Sequence, residues 1–249
     1  MTHKHIFIFV VALLAAGRSA AQSNDNEMTQ RKPGPPVAER QDGDWISYRD
    51  VYRLMIRFEK YGKPKQLIQN SYQVLPRDKK EPVEDLHFTL TGKTIRLDLP
   101  VDAAGRVSVP LLKAAYDENA ELSLNRKISL YVFRPRISII ARTDGIYESG
   151  DLQKACEQAL NYLQYSGEMP AAGKKCVGVK FSYARNAGDT VARFRTGVIL
   201  KPLPAAEGGA FIDDAGGVFK TAIYRFSDWP EQGQVITQSM PVAIAALFD

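Results

Sequence analysis

Histidine is almost missing from this 249-residue chain: there are three, and His3 and His5 stand at its very start. That leaves His87 alone in the body of the protein, so a Ser-His-Asp arrangement would have to be built on that one residue. Cysteine is as scarce, with only Cys156 and Cys176. Their separation of 20 residues excludes a C-x-x-C redox motif, whose reactivity needs both sulfurs at one helix N-terminus. A zinc site would want two further ligands, and His87 alone is on hand. The chain also lacks a G-x-S-x-G elbow, an S-x-x-K, an H-E-x-x-H, a P-loop and a G-x-G-x-x-G, and with them the exposed serine, metal face or phosphate cradle that each supplies. No catalytic residue, metal ligand or cofactor site is therefore expected. Beyond the first residues no apolar run reaches the roughly 17–25 residues of a membrane-spanning helix.

The start of the chain is different. MTHKHIFIFVVALLAAGRSAAQS has a basic residue in Lys4, an unbroken apolar stretch from Ile6 to Ala16, and small residues ending in Ser19, Ala20 and Ala21. This is the three-part plan of a secretory signal peptide over residues 1–21. Residues 22–44 are polar and proline-rich, with Met28 and Val37 as the only aliphatic residues of any size. Such a segment buries too little to offset its ordering entropy and reads as a disordered leader. A periplasmic or secreted location follows, and in that oxidising setting Cys156 and Cys176 are expected to form a disulfide. Removal of Lys4 and Arg18 leaves 31 basic against 28 acidic residues, a net of about +3, which is no nucleic-acid signature.

Folding is expected from Ser47. Tyr48, Val51, Tyr52, Met55 and Phe58 recur at helical spacing, with Ser47 as N-cap and Gly62 then Pro64 as stops. The polar side carries Arg49, Arg53, Arg57 and Lys60. Such a stripe could face anionic lipid or polysaccharide, although charge runs usually mark a solvated face. QLIQNSYQVL, DLHFTL, KTIRLDL, RVSVPLL, KISLYVF and RISIIAR then read as successive strands, the last two interrupted by Pro135. In DLHFTL the alternation sets Leu86, Phe88 and Leu90 on one face and His87 with Thr89 on the other, so His87 reads as a polar-face strand residue. Residues 45–144 thus form a helix plus an antiparallel β-sandwich module.

A second module spans residues 145–249. It opens with a helix capped at Ser149 or Asp151 and ending at Gly167, with Leu152, Ala155, Cys156, Ala159, Leu160 and Leu163 as its apolar stripe. A second antiparallel sheet follows, and the disulfide would tie the helix to its first strand. The fold class is thus α+β and β-rich. GVKFSYARNAGDTVARFRTG reads as a hairpin looping at Asn186–Asp189, with Arg185 paired to Thr190. That register sets Val179, Phe181 and Tyr183 opposite Thr196, Phe194 and Ala192. It also sets Lys180 opposite Arg195 and Ser182 opposite Arg193. Like charges facing one another call for acidic neighbours or an anion, although long side chains can also splay into water. Lys180, Arg193 and Arg195 are accordingly the candidate anion-binding residues.

The plan of a signal, a Tyr/Arg-rich helix and strands around LDLPVDAAGRVSVP resembles uncharacterised secreted or periplasmic proteobacterial proteins of unknown function. The resemblance covers about residues 45–140 in pattern and brings no activity. Adjacent acids remain at Glu84-Asp85, Asp117-Glu118 and Asp213-Asp214. Neighbours in a strand point to opposite faces, which disfavours convergence on one glycosidic bond, and Asp213-Asp214 reads as turn chemistry. The leading expectation is a noncatalytic protein that binds or supports a cell-envelope component, whether an anionic lipid or glycan or an envelope protein. The alternative is a carboxylate-dependent enzyme acting on envelope glycans. A C-terminal outer-membrane barrel is disfavoured because most of the runs fall short of about 9–11 residues.

Overall fold

A computed structural model describes residues 45–78, 81, 84–170, 173–188, 191–214 and 219–249. The expected signal and leader, and Asp189 and Thr190 of the expected hairpin, lie outside the described residues. The fold is α+β and β-rich, with antiparallel pairing throughout the described sheets. Among the described residues no helix is long and apolar enough to cross a membrane.

Strand β1 (Trp45–Ser47) runs directly into helix α1 (Tyr48–Glu59). Ser47 holds the N-cap position, with the extended backbone usual there, but makes no side-chain cap bond. Tyr48, Val51 and Phe58 are buried as their spacing predicts. The C-terminal carbonyls of Phe58 and Glu59 accept from the Lys65 ammonium, each at 2.6 Å, which satisfies groups that a helix end leaves open. The basic stripe is partly consumed by packing. Arg49 donates to the Tyr116 carbonyl and lies over its ring, and Arg57 does the same with Tyr165.

Strands β2 (Ile68–Pro76), β3 (His87–Thr91), β4 (Arg96–Pro100) and β5 (Arg106–Val107) follow, then a short helix α2 (Lys113–Asp117), β6 (Glu121–Leu124) and β7 (Tyr131–Ile139). They form two sheets, β1-β6-β3-β4 and β5-β2-β7. Phe88, Leu90, Leu99 and Leu122 of the first and Tyr72, Val74, Val107 and Tyr131 of the second share one core with Tyr48 and Val51. This is the expected two-sheet layout. RVSVPLL contributes only two strand residues, because the Tyr48 hydroxyl holds it instead. That hydroxyl donates to the Pro110 carbonyl at 2.6 Å and accepts from the Leu112 amide at 2.8 Å. The expected break at Pro135 does not occur: β7 runs through it, with Pro135 opposite Tyr72. β7 is an edge strand in its sheet order, where a missing N–H donor is tolerated.

Next come β8 (Ile146–Glu148) and helix α3 (Ser149–Ser166), which ends at Gly167 with φ +79°, the left-handed cap that glycine adopts without strain. Ser149 is helical, and its hydroxyl bonds the Gly233 carbonyl rather than capping. Leu152, Ala155, Cys156 and Ala159 are buried as expected and Leu163 packs half-buried against the same core, while Gln158 and Tyr162 are buried where Leu160 was expected. The remaining strands are β9 (Cys176–Tyr183), β10 (Ala192–Thr196), β11 (Ile199–Pro202), β12 (Ala205–Gly208), β13 (Phe219–Arg225), β14 (Gln234–Thr237) and β15 (Ala243–Phe248). They build two sheets where one was expected, β11-β10-β14-β8 and β12-β13-β9-β15. Cys156 and Cys176 form the disulfide, Cα to Cα 5.9 Å, tying α3 to the start of β9.

The expected β9–β10 hairpin is not formed. β9 pairs with β13 and β15, and β10 pairs with β11 and β14. Val179, Phe181 and Tyr183 do enter the core, but β9 is central and already has both neighbours. Strands adjacent in sequence pair only about two-thirds of the time, and here the chain changes sheets between them. Ile68, Ile137 and Ile139, from the ends of β2 and β7, also belong to this second core. The described residues form one compact unit.

Candidate functional site

Paired residues of β2 and β7 share a face, so the ribbon they form has one apolar and one polar side. The apolar side carries Ile68, Tyr72, Val74, Tyr131, Ile137 and Ile139. The polar side carries Gln69, Ser71, Gln73, Arg134, Arg136 and Ser138. Gln73 is fully buried, and its side-chain oxygen accepts from Arg134 Nε at 3.3 Å and Arg136 Nε at 2.7 Å. Its amide nitrogen donates to the Ala104 carbonyl at 3.0 Å.

The segment from Gly209 to Asp214 lies over this face and delivers two acids to the two guanidinium groups. Asp213 meets Arg134 at 2.6 Å and Arg136 at 2.9 Å. Asp214 meets Arg134 at 2.8 Å and Arg136 at 3.5 Å, and accepts from the Phe211 amide at 3.0 Å. Phe211 lies on the Arg136 guanidinium, 4.5 Å from ring centroid to Cζ. Burial acts most strongly on Asp213 and would raise its pKa, but the hydrogen bond and charge of Arg136, with the charge of Arg134, leave it below the usual carboxylate value. The reading of Asp213-Asp214 as plain turn chemistry is thus incomplete. Adjacent acids converge here because they sit in a turn, where strand alternation does not apply.

The predicted anion-binding residues are not brought together. Lys180 is buried on β9, opposite Ile223 and Ala245, and donates to the Gly209 carbonyl at 2.8 Å. Desolvation lowers its pKa, opposed by the charges of Asp214 and Asp213, so it belongs to the arginine–aspartate cluster. Arg193 and Arg195 lie on β10 in the other sheet, opposite Pro202 and Leu200 of β11. Arg195 bonds Gln234, which in turn donates to Glu148 at 2.5 Å. The side chains of Arg193 and Lys201 make no hydrogen bond or ion pair among the described residues.

β10 and β11 are joined by Gly197 and Val198 alone, with positive φ at Gly197 (+56°), the pattern of a type II′ hairpin turn. Phe194 is the last buried residue before the turn. Val198 is 101% exposed, and Ile199 and Leu200 are 51% and 47% exposed.

Beside the cluster a cleft of about 310 Å³ opens between Gln69, Asp102, Arg106, Ile139, Met240 and Val242. Arg106 is already engaged there, with Asp102 at 2.7 Å, Ser138 Oγ at 3.1 Å and the Val242 carbonyl at 2.5 Å. His87 is exposed on β3 between buried Leu86 and Phe88, its ring 3.3 Å from the Asp85 carbonyl, as the alternation predicts. The Asp117-Glu118 pair does not converge: Asp117 bonds Lys113, while Glu118 bonds Thr94. Among the described residues no group of three or more His, Cys, Asp or Glu could hold a metal ion. No family model, curated protein or solved structure matches this chain.

Proposed function

We propose that this is an extracytoplasmic protein, exported by residues 1–21, that binds or supports a cell-envelope component without catalysing a reaction. The observation that carries the reading is a contrast in how charge is paired. At the centre, Asp213 and Asp214 have guanidinium partners on Arg134 and Arg136. Acids so held have their lone pairs directed at fixed cations and are poorly placed to move a proton. At the surface, the β10–β11 hairpin leaves cations and apolar side chains exposed together. A closed Cys156–Cys176 pair is the state expected of an oxidising compartment.

The test is sedimentation of the secreted form, from Gln22 onward, with purified envelope fragments. Retention in the pellet with no soluble glycan released is the expected result. A protein that stays in the supernatant overturns the binding role. Release of glycan fragments that is lost in Asp213→Asn overturns the noncatalytic role.

A further inference from the structure

We propose that the β10–β11 hairpin is a docking element for a bilayer surface carrying anionic lipid, with its apolar tip seated in the headgroup region. The proposal rests on the envelope-binding role above and names its ligand. Val198, Ile199 and Leu200 are consecutive, exposed and at the end of the hairpin. Single exposed apolar residues need no explanation, but three together at a projecting tip do. The core does not claim them, because packing stops at Phe194, which rests against Tyr224 and Trp229.

Charge selects the occupant. Arg193 and Arg195 flank the tip on one strand and Lys201 on the other, and among the described residues the acid tied into this group is Glu148, through Gln234. Apolar tip and cationic shoulders match the order of an anionic bilayer met from water, with headgroup charge outside and acyl chain within. From Phe194 to the turn, a strand rise of about 3.3 Å per residue gives a reach of about 10 Å. That agrees with the roughly 5–10 Å depth of interfacial elements. Ladder bonds between β10 and β11 pair the inner backbone groups of the hairpin, which permits shallow entry without orphaned amides. Pro202 and Lys201 on the outer strand work against addition of another strand, the competing use of an open edge.

The experiment is co-sedimentation of the secreted form with vesicles of phosphatidylcholine alone and of phosphatidylcholine mixed with phosphatidylglycerol. Binding is expected to the mixed vesicles, to weaken as salt rises, and to fall about tenfold in Val198→Asp, whose fully exposed site leaves the melting temperature unchanged. The triple change Arg193→Gln, Arg195→Gln, Lys201→Gln is expected to remove the preference for the mixed vesicles. In Val198→Trp, added vesicles are expected to shift the tryptophan emission to the blue. Equal binding by Val198→Asp and its parent overturns the proposal, as does a parent that self-associates through this hairpin and ignores vesicles. A parent retained by envelope fragments but not by vesicles overturns the lipid assignment and leaves the envelope-binding role standing. A parent held by neither overturns both.

Discussion

Asp214 is the most exacting residue of the arginine–aspartate cluster, because its side chain is only 9% exposed and four partners, Arg134, Arg136, Gln73 and the Phe211 amide, converge on it. Asp214→Asn keeps the shape and removes the charge, leaving Arg134 and Arg136 to share Asp213. The expected loss is about 2–3 kcal/mol, seen as a fall in melting temperature of roughly 5–10 °C. A second residue-scale prediction concerns acid. Asp213 is held below the usual carboxylate value, and Asp144 is lowered to about 2, first by its hydrogen bond from Arg142 and then by the Ile146 amide. A depressed folded-state pKa means that the unfolded chain binds protons first as pH falls, so stability from these groups is full above about pH 4 and drains away below it. Urea titrations between neutral pH and pH 2 should show that decline, and Asp144→Asn should make it shallower.

Among the elements, α3 and the disulfide were the most legible in sequence, for a physical reason. A helical stripe, a stop at Gly167 and a cysteine on the buried face are all local, and the structure reproduces them within a residue or two. Replacing both cysteines by serine should cost about 3 kcal/mol in the loop-closure account. Chemical denaturation under nonreducing conditions checks this, with the parent shifting to the variant's midpoint once reduced. Alternation in β9 also reported correctly that Val179, Phe181 and Tyr183 enter the core, but not that Lys180 and Ser182 on its other face are buried as well. It could not report the partner strand, since alternation is the same whichever neighbour a strand has, and so Lys180 was grouped with Arg193 and Arg195. The arginine–aspartate cluster was illegible for the same reason. Arg136 and Asp213 stand 77 residues apart, and nothing local in either stretch announces the other.

At the scale of the whole molecule, the boundary near Gly145 read from sequence meets a fold in which β2 and β7 serve both cores. Ile68, Ile137 and Ile139 from residues 45–144 lie in the core built by α3, β9 and β10. A fragment of residues 45–144 would leave those three in water and lose the acids that neutralise Arg134 and Arg136. It is therefore expected to show no cooperative thermal transition, whereas the whole chain is expected to melt in one step. Calorimetry of the fragment and of the whole chain distinguishes these outcomes, and a sharp transition in the fragment would count against the shared ribbon. The ribbon also has a mechanical consequence. Two cores joined face to face part along a noncovalent seam, but here a pull between them runs along two continuous backbones. Tension cannot open a crack between the halves; it has to draw a strand end lengthwise out of one of them.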